Sequence, residues 1–523
     1  MGRWMRRFGG LAAVSVPAFF GFDWFNDQVL SRGVVALYTA GRVSADYKFS
    51  DPKTLEELSE LHARSADRLV SMLLRNEGLF IKFGQALSSL NHVLPPEYTK
   101  RLQVLLDQAP TSPTDQIMRI IAEDLGRSAH EAFVEFDETP VAAASIAQVH
   151  RAKIRLADGT VQDVAVKVLK PRIPNQVWWD LTVHDIICYG LEYAFGIKLT
   201  WSVHTIRENL YREVNFAVEA DYTDLGREVW AGRPDLYIPR LYRDYCTRRV
   251  LVTEWIDAVK MIEVERIKRE FDPKAAMQTL MEAYGEGLFS KGFVHADPHP
   301  ANVMIRKDPA RPGKQQVVLL DFGLCMKTSE EFRHNYARVW RAIFTQDMAE
   351  LEEVVKGWGI GDAELFASFQ LQKPFSRSRP VHSTAITKAE IRQFQNSIKA
   401  NINRMLEDDE RIPREIIFVG RGAQMLRSMN KSYGAPVNRA NIFAAKAVAS
   451  LDEGKGGWST AMLRYEATLL LLALAHWWTQ TVNGVLAYWF TSYRVSTLED
   501  VMEEREKSFV LQHSHRMEIG ERD

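Results

Sequence analysis

The stretch His295-Ala296-Asp297-Pro298-His299-Pro300-Ala301-Asn302-Val303, followed by Val317-Val318-Leu319-Leu320-Asp321-Phe322-Gly323, decides how the rest of the chain is read. Asp297 and Asn302 stand five residues apart. That spacing lets a loop aspartate and a strand-entry asparagine converge on one metal–phosphate site. Val317 to Leu320 is an apolar strand, and a carboxylate at its end, before a glycine, is placed to hold Mg²⁺ on a nucleotide. Between the two motifs, Val303-Met304-Ile305 and Val317 to Leu320 flank the turn-rich segment Asp308 to Gly313, which predicts a β-hairpin holding both acids. His295 and His299 offer a rival metal reading. Asn302 and the prolines fit a catalytic loop better than a zinc site.

Upstream the pattern has the period of strands. Phe133 to Phe136, Ile146 to Ile154 and Val164 to Val168 read as successive strands, with Asp158-Gly159 as the turn between the last two. The last strand carries Val164-Ala165-Val166-Lys167. A lysine on an apolar strand ordinarily points to solvent and does nothing further. Here its place in a series gives it meaning: strand lysine, D-x-x-x-x-N, hairpin, D-F-G. That order is the protein-kinase-like signature. Two expected parts are absent. No G-x-G-x-x-G precedes Lys167, and at the loop position stands Val141-Ala142-Ala143-Ala144-Ser145, whose methyls limit how closely backbone N–H groups wrap phosphates. After Asp321-Phe322-Gly323 there is no activation segment and no A-P-E. A capping box, Thr328-x-x-Glu331, is expected to start a helix at once, which removes the platform for a peptide substrate.

The flanks are helical. From Asp51 to Gln108, Leu55, Leu58, Leu61, Leu69 and Leu73 mark one apolar face, and Lys82-Phe83-Gly84-Gln85 lies inside an apolar helix. Pro95-Pro96 breaks the run, with Pro96 opening a helix to Asp107. Thr114 to Leu125 is a further short helix, and Gln176 to Phe195, Val203 to Asp224 and Pro273 to Ser290 are longer ones. Arg249 to Trp255 is a strand. Everything after Thr328 reads as helical apart from a polar loop near Lys373 to Thr387.

Composition excludes several classes. The chain has 523 residues, 66 Lys+Arg against 67 Asp+Glu, and 46% hydrophobic residues. A near-neutral balance argues against a general nucleic-acid binder. Charged residues at 25% and aromatics at 11% exclude wholesale disorder. Cys188, Cys246 and Cys325 are far apart, so the expectation is three buried reduced thiols, with no disulfide framework and no thiolate zinc site. The first acid is Asp23, preceded by Arg3, Arg6 and Arg7, the pattern of a mitochondrial targeting segment. Ala467 to Tyr493 carries no charge and reads as a core or interfacial helix rather than a spanning one.

The quoted marks together resemble the ABC1/UbiB (ADCK) family of atypical kinases, and within it the mitochondrial ADCK1-like branch. They are Lys82-Phe83-Gly84-Gln85, Ala142-Ala143-Ala144-Ser145, Val164 to Lys167, His295 to Asn302 and Asp321-Phe322-Gly323. Pattern alone leaves Asp180, Asp185, Glu192, Glu208, Glu213 and Glu219 open as the carboxylate partner of Lys167. The family's E-x-D region matches Glu213 to Glu219. The resemblance thereby implies Glu213 as the ion-pair partner and Glu219 as a second acidic site residue. Asn215 stands where the family usually has Asp, which puts a charge role there in doubt.

By the same resemblance, Lys82 and Gln85 cover the active-site mouth. Ala142, Ala143, Ala144, Ser145 and Lys167, with Glu254 and Ile256, form the nucleotide-binding set. Asn302 and Asp321 hold metal, and Asp297 positions a nucleophile. The expected fold is α+β and protein-kinase-like, two-lobed, with helical N-terminal (K-x-G-Q) and C-terminal extensions. The expected boundaries are 1–50 targeting segment, 51–128 helical extension, 129–257 N-lobe, 258–355 C-lobe and 356–523 C-terminal extension. The expected cofactors are ATP or ADP with Mg²⁺. The resemblance implies partners among membrane lipids or isoprenoid-like small molecules, a mitochondrial inner-membrane location, and a role in lipid or coenzyme Q homeostasis. A nucleotide-sensing, non-catalytic scaffold is the alternative. Oligomeric state is not legible.

Overall fold

The computed structural model describes residues 27–371 apart from 89–93, 108–109 and 197–198, then 412–451, with Asp23, Phe375 and several positions from 465 to 478. The acid-free N-terminal segment and most of 467–493 lie outside the described residues. Among the described residues no helix is long and apolar enough to cross a membrane.

The strands are β1 (Glu135–Phe136), β2 (Ala142–Ala143), β3 (Ala147–Arg155), β4 (Val161–Leu169), β5 (Leu236–Tyr237) and β6 (Val250–Glu254). They continue with β7 (Val259–Lys260), β8 (Phe293–His295), β9 (Val303–Lys307), β10 (Gln315–Leu319) and β11 (Cys325–Lys327). The chain divides into two compact units, one of Met1–Val218 with Tyr242–Trp255, the other of Glu219–Leu241 with Ile256–Phe509. The expected helical extension and N-lobe therefore share one unit, and Glu219–Leu241 joins the second.

In the first unit a sheet of order β1-β3-β4-β6, with β2 also on β3, is antiparallel throughout. The β3–β4 hairpin turns where sequence places the turn: Gly159 has φ 84 and Thr160 N–H donates to the Asp158 carboxylate at 2.9 Å. Val164, Val166 and Val168 alternate into the core with Val250, Val252 and the helix Thr114–Leu125. The helical extension follows its caps. Thr54 accepts from Glu57 N–H to open Leu55–Asn76, and Pro96 opens Pro96–Leu102, to which Val104–Asp107 is appended. Ser128 and Glu131 form a capping box on Ala129–Ala132. The helix expected over Val203 to Asp224 is two, Thr200–Glu213 and Phe216–Val229. Asn215 Oδ1 accepts from Ala217 N–H at 3.3 Å across the break. The neutral amide at this position thus serves the backbone.

In the second unit β5-β10-β9-β7 form one sheet and β8 pairs with β11. The helix Pro273–Glu286 starts at the Asp272 cap, passes into a π-turn at Gly287–Lys291, and ends at Gly292 in the left-handed region. The aromatic core holds Trp340, Phe344, Phe443 and Tyr465 from the C-terminal helices with Phe293 and Phe322. The capping box expected at Thr328 does not form: the cap falls one residue later, where the third helical residue is Phe332 rather than Glu331. Ser329 is the cap of Glu330–Thr345 and accepts from Phe332 N–H, because Thr328 N–H closes the end of β11 by donating to the Gly292 carbonyl. Cys188 and Cys325 are buried and free, whereas Cys246 is only half-buried.

Candidate active site

Register places the acids of the second unit. His295 pairs with Cys325 across β8–β11, and Val303 with Leu319 across β9–β10, so loops 296–302 and 320–324 run side by side. Two backbone bonds tie them: Ala296 N–H to the Leu324 carbonyl at 2.9 Å, and Leu320 N–H to the Asn302 carbonyl at 3.0 Å. Within the first loop, His299 N–H donates to the Asp297 carbonyl at 2.8 Å and Asn302 N–H to the His299 carbonyl at 2.8 Å. His299 Nδ1 accepts from Ala301 N–H. The Asp297 side chain is partly exposed.

Asp321 is held by its own motif, since Gly323 N–H donates to Asp321 Oδ1 at 2.9 Å. A Cβ on Gly323 would lie 3.1 Å from Asp321 Oδ1 and 3.5 Å from Glu219 Oε2, so the glycine lets two carboxylates approach. Phe322 is fully buried, edge-on to the His295 ring at 5.0 Å, and packed so closely on Gly226 that a Cβ there would sit 2.6 Å from its ring. Burial first, then Asp321, Glu219 and Asp297, push the Cys325 thiol well above its ordinary range. Of these, Asp321 and Glu219 come together at Gly323. Burial also lowers the His295 pKa, against the pull of Asp297 and Asp321. The ring stays neutral near pH 7.

Asp321, Asn302 and Glu219 present oxygen donors only. This hard set suits Mg²⁺, which keeps waters and phosphate oxygens and asks the protein for one or two carboxylates. Among the described residues no three His, Cys, Asp or Glu side chains form an all-protein metal site. His295 is buried against Phe322, which leaves a zinc reading of this loop without support.

The first unit carries the remaining candidates. Lys167 faces Val149 and Leu251 across the sheet, on the opposite face from Val166 and Val168, and its Nζ lies 5.1 Å from the Phe216 ring centroid. Glu213, the carboxylate the resemblance assigns to Lys167, stands 2.9 Å from Lys82 Nζ. The alanine loop needs no glycine. Ala142 and Ala143 pair with Val149 and Gln148, and Ala144 N–H donates to the Ala147 carbonyl at 2.8 Å. Lys170, nearly buried, donates from Nζ to the Ala144 carbonyl at 2.6 Å, and burial lowers its pKa to about 8. Ser145 is buried. Gln85 donates to the Leu105 carbonyl at 2.9 Å, and a Cβ on Gly84 would meet Leu105 and Leu73. Gly84 is thus a packing glycine. Glu254 ends β6 opposite Val164, and Ile256 is buried in the second unit.

Sequence reading missed Lys170 and Arg421. Arg421, on the helix Arg414–Ser432, brings its guanidinium to 3.5 Å from Asp297 Oδ2. The available signal was Gly422, a glycine inside a helix, which costs about 1 kcal/mol against alanine and marks a close approach.

Residues 104–355 match the family described as the ABC1 atypical kinase-like domain. An ABC1 family protein of Schizosaccharomyces pombe is 33% identical over 84% of this chain and 83% of its own length. The ABC1 family protein lscO of Purpureocillium lilacinum is 32% identical, over 86% of this chain and 83% of its own. AarF domain-containing protein kinase 1 of Xenopus laevis is 32% identical over 74% of each chain. With a kinase-like order of motifs, a hairpin that gathers its acids and relatives of this extent, the chain belongs to the ABC1 family of atypical kinase-like proteins.

Proposed function

We propose that the chain binds Mg²⁺ with an adenine nucleotide and either hydrolyses ATP or passes its terminal phosphoryl to a small molecule, in mitochondrial lipid or coenzyme Q homeostasis at the inner membrane. The observation that carries this reading is the gathering of Asp297, Asn302 and Asp321 by two backbone bonds between adjacent loops. Asp321 and Asn302 would hold the metal, which neutralises phosphate charge when bound. Lys167 would meet the α- and β-phosphates. Asp297 would accept the proton of the attacking hydroxyl, water or alcohol. The short path from β11 to the cap at Ser329 leaves no segment on which to lay a peptide, which favours a small acceptor over a protein. Location and substrate class rest on the family resemblance and on the basic, acid-free start.

Thermal stability against Mg²⁺ with ATP or ADP, followed by phosphate-release kinetics, tests the reading. The parent chain should gain stability by mass action. Asp321→Ala should lose the metal-dependent part, and Asp297→Asn should keep binding but lose turnover. Binding without turnover in the parent chain would favour the nucleotide-sensing scaffold. No stabilisation by either nucleotide at millimolar concentration would overturn both readings.

A further inference from the structure

The helix Arg414–Ser432 is built into the catalytic loop. Phe418 packs with Ala296 and Leu324, residues that adjoin the two acid-bearing motifs. The Val419 carbonyl accepts from the fully buried Tyr284 hydroxyl at 2.8 Å. Four residues after Phe418, and so on the same helix face, Gly422 lies where a Cβ would come 2.6 Å from Tyr284 Oη and 2.8 Å from the His295 carbonyl oxygen. Only glycine admits the loop backbone this closely. Arg421 is therefore fixed at its backbone beside the loop, with its guanidinium 3.5 Å from Asp297 Oδ2 and its side chain 42% exposed. The contact uses one edge of a planar fork with five N–H donors.

The charge around this arginine gives it a task. From Asp297 to Asn302 the loop reads Asp-Pro-His-Pro-Ala-Asn and supplies no Lys or Arg. Asp297, Asp321 and Glu219 all act on Cys325, so the region is strongly anionic. A phosphoryl group in transfer adds negative charge over three equatorial oxygens. Carboxylates beside the reacting group oppose this build-up of charge, and a preorganised cation next to it lowers the barrier.

We infer that Arg421 is a catalytic residue: its guanidinium bridges Asp297 and the terminal phosphoryl of ATP, supplying from the C-terminal extension the cation the catalytic loop lacks. This rests on the proposed nucleotide reading. In the step, the acceptor oxygen bonds to the terminal phosphorus and the bond from that phosphorus to the β,γ-bridging oxygen breaks. The electron pair leaves on ADP, and the acceptor proton passes to the Asp297 carboxylate. Arg421 donates to the equatorial oxygens and holds the carboxylate in reach of the acceptor.

The experiment compares the full-length parent with Arg421→Ala and Arg421→Lys, measuring Mg²⁺·ATP and Mg²⁺·ADP affinity, turnover and thermal midpoint. Arg421→Ala should weaken ATP about tenfold while ADP stays within about twofold, because only ATP carries the contacted group, and should lower turnover about 100-fold. Added guanidinium ion should restore part of the turnover of Arg421→Ala and none of Asp297→Asn, which a merely structural role would not produce. Arg421→Lys keeps charge without the fork and should fall between. The midpoint should barely move, the side chain being part-exposed. Unchanged ATP-over-ADP preference and unchanged turnover in Arg421→Ala would overturn the inference with the nucleotide reading intact. If the parent binds but does not turn over, loss of ATP preference in Arg421→Ala supports the phosphoryl contact, and its retention overturns it. A parent that binds neither nucleotide overturns both.

Discussion

Two hairpins carry the candidate site residues of this chain, and they are held differently. The β9–β10 hairpin and its neighbouring loops keep Asp297, Asn302 and Asp321 in place through backbone bonds and the register of short strands. The β3–β4 hairpin also has a fixed register. The groups around it are held by side chains from far along the chain: Lys170 on the Ala144 carbonyl, Lys82 on Glu213, and Arg32 on both Asp180 and the Asn76 carbonyl. Backbone register tolerates most side-chain changes. Long-range ion pairs do not, because removing one member strands the other in low dielectric. The loop 296–302 should therefore be brittle to backbone displacement and the helical extension to charge removal.

The largest expected effect breaks the backbone-held half. Gly422→Val must displace either the buried Tyr284 hydroxyl or the His295 carbonyl, and should cost about 3 kcal/mol, read as a lower urea midpoint. A loss below about 1 kcal/mol would mean that the helix yields.

Next comes Arg32→Met, which leaves Asp180 buried and unpaired, for roughly 3 kcal/mol at pH 8. Burial already pushes Asp180 up to about 6, with Arg32 opposing. A carboxyl whose folded pKa is raised contributes stability at low pH that is lost as pH rises through that value. The variant's deficit relative to the parent should thus shrink at pH 5.5. An equal deficit at both pH values would show that Asp180 is not the stranded group. Comparison with the parent cancels the buried His62 and His150 and the half-buried His184, whose lowered pKa values have the opposite sign.

Lys82→Met should cost about 1 kcal/mol, since Lys82 is part-exposed and Glu213 only nearly buried. It should also change nucleotide affinity several-fold if Glu213 then becomes available to Lys167. Identical stability and affinity would remove Lys82 from any functional role. The smallest effect is Gly84→Ala. Its Cβ would meet only the methyl ends of Leu105 and Leu73, which can rotate away, so a midpoint change worth about 1 kcal/mol or less is expected. A large loss would show the extension to be as rigid as the catalytic loop.

Much of the site was legible because it is written in short-range terms. Spacing placed Asp297 against Asn302, turn residues placed both hairpins, and alternation placed Lys167 opposite the Val166 face. The expected capping box gives way to a simple cap at Ser329 because Thr328 N–H closes a strand end, a tertiary demand that local propensity does not contain. The helix expected across Glu213 to Glu219 breaks at Asn215 for a similar reason: Phe216 N–H donates to the Arg248 carbonyl, a partner outside the helix.

Sequence by itself determined the order of the motifs, the strand registers through their turns, and the chemical type of the acids. These depend on periodicity and on residues within a few positions of one another. Only the tertiary structure decided that Glu213 meets Lys82, that Lys170 braces the alanine loop, and that Arg421 stands beside Asp297. Each is a side-chain charge pair, or a side chain on a backbone carbonyl, between residues well separated in sequence. Coulomb attraction has no period and no preferred spacing, so its partners are chosen by packing, as where Gly422 lets one helix close on the catalytic loop.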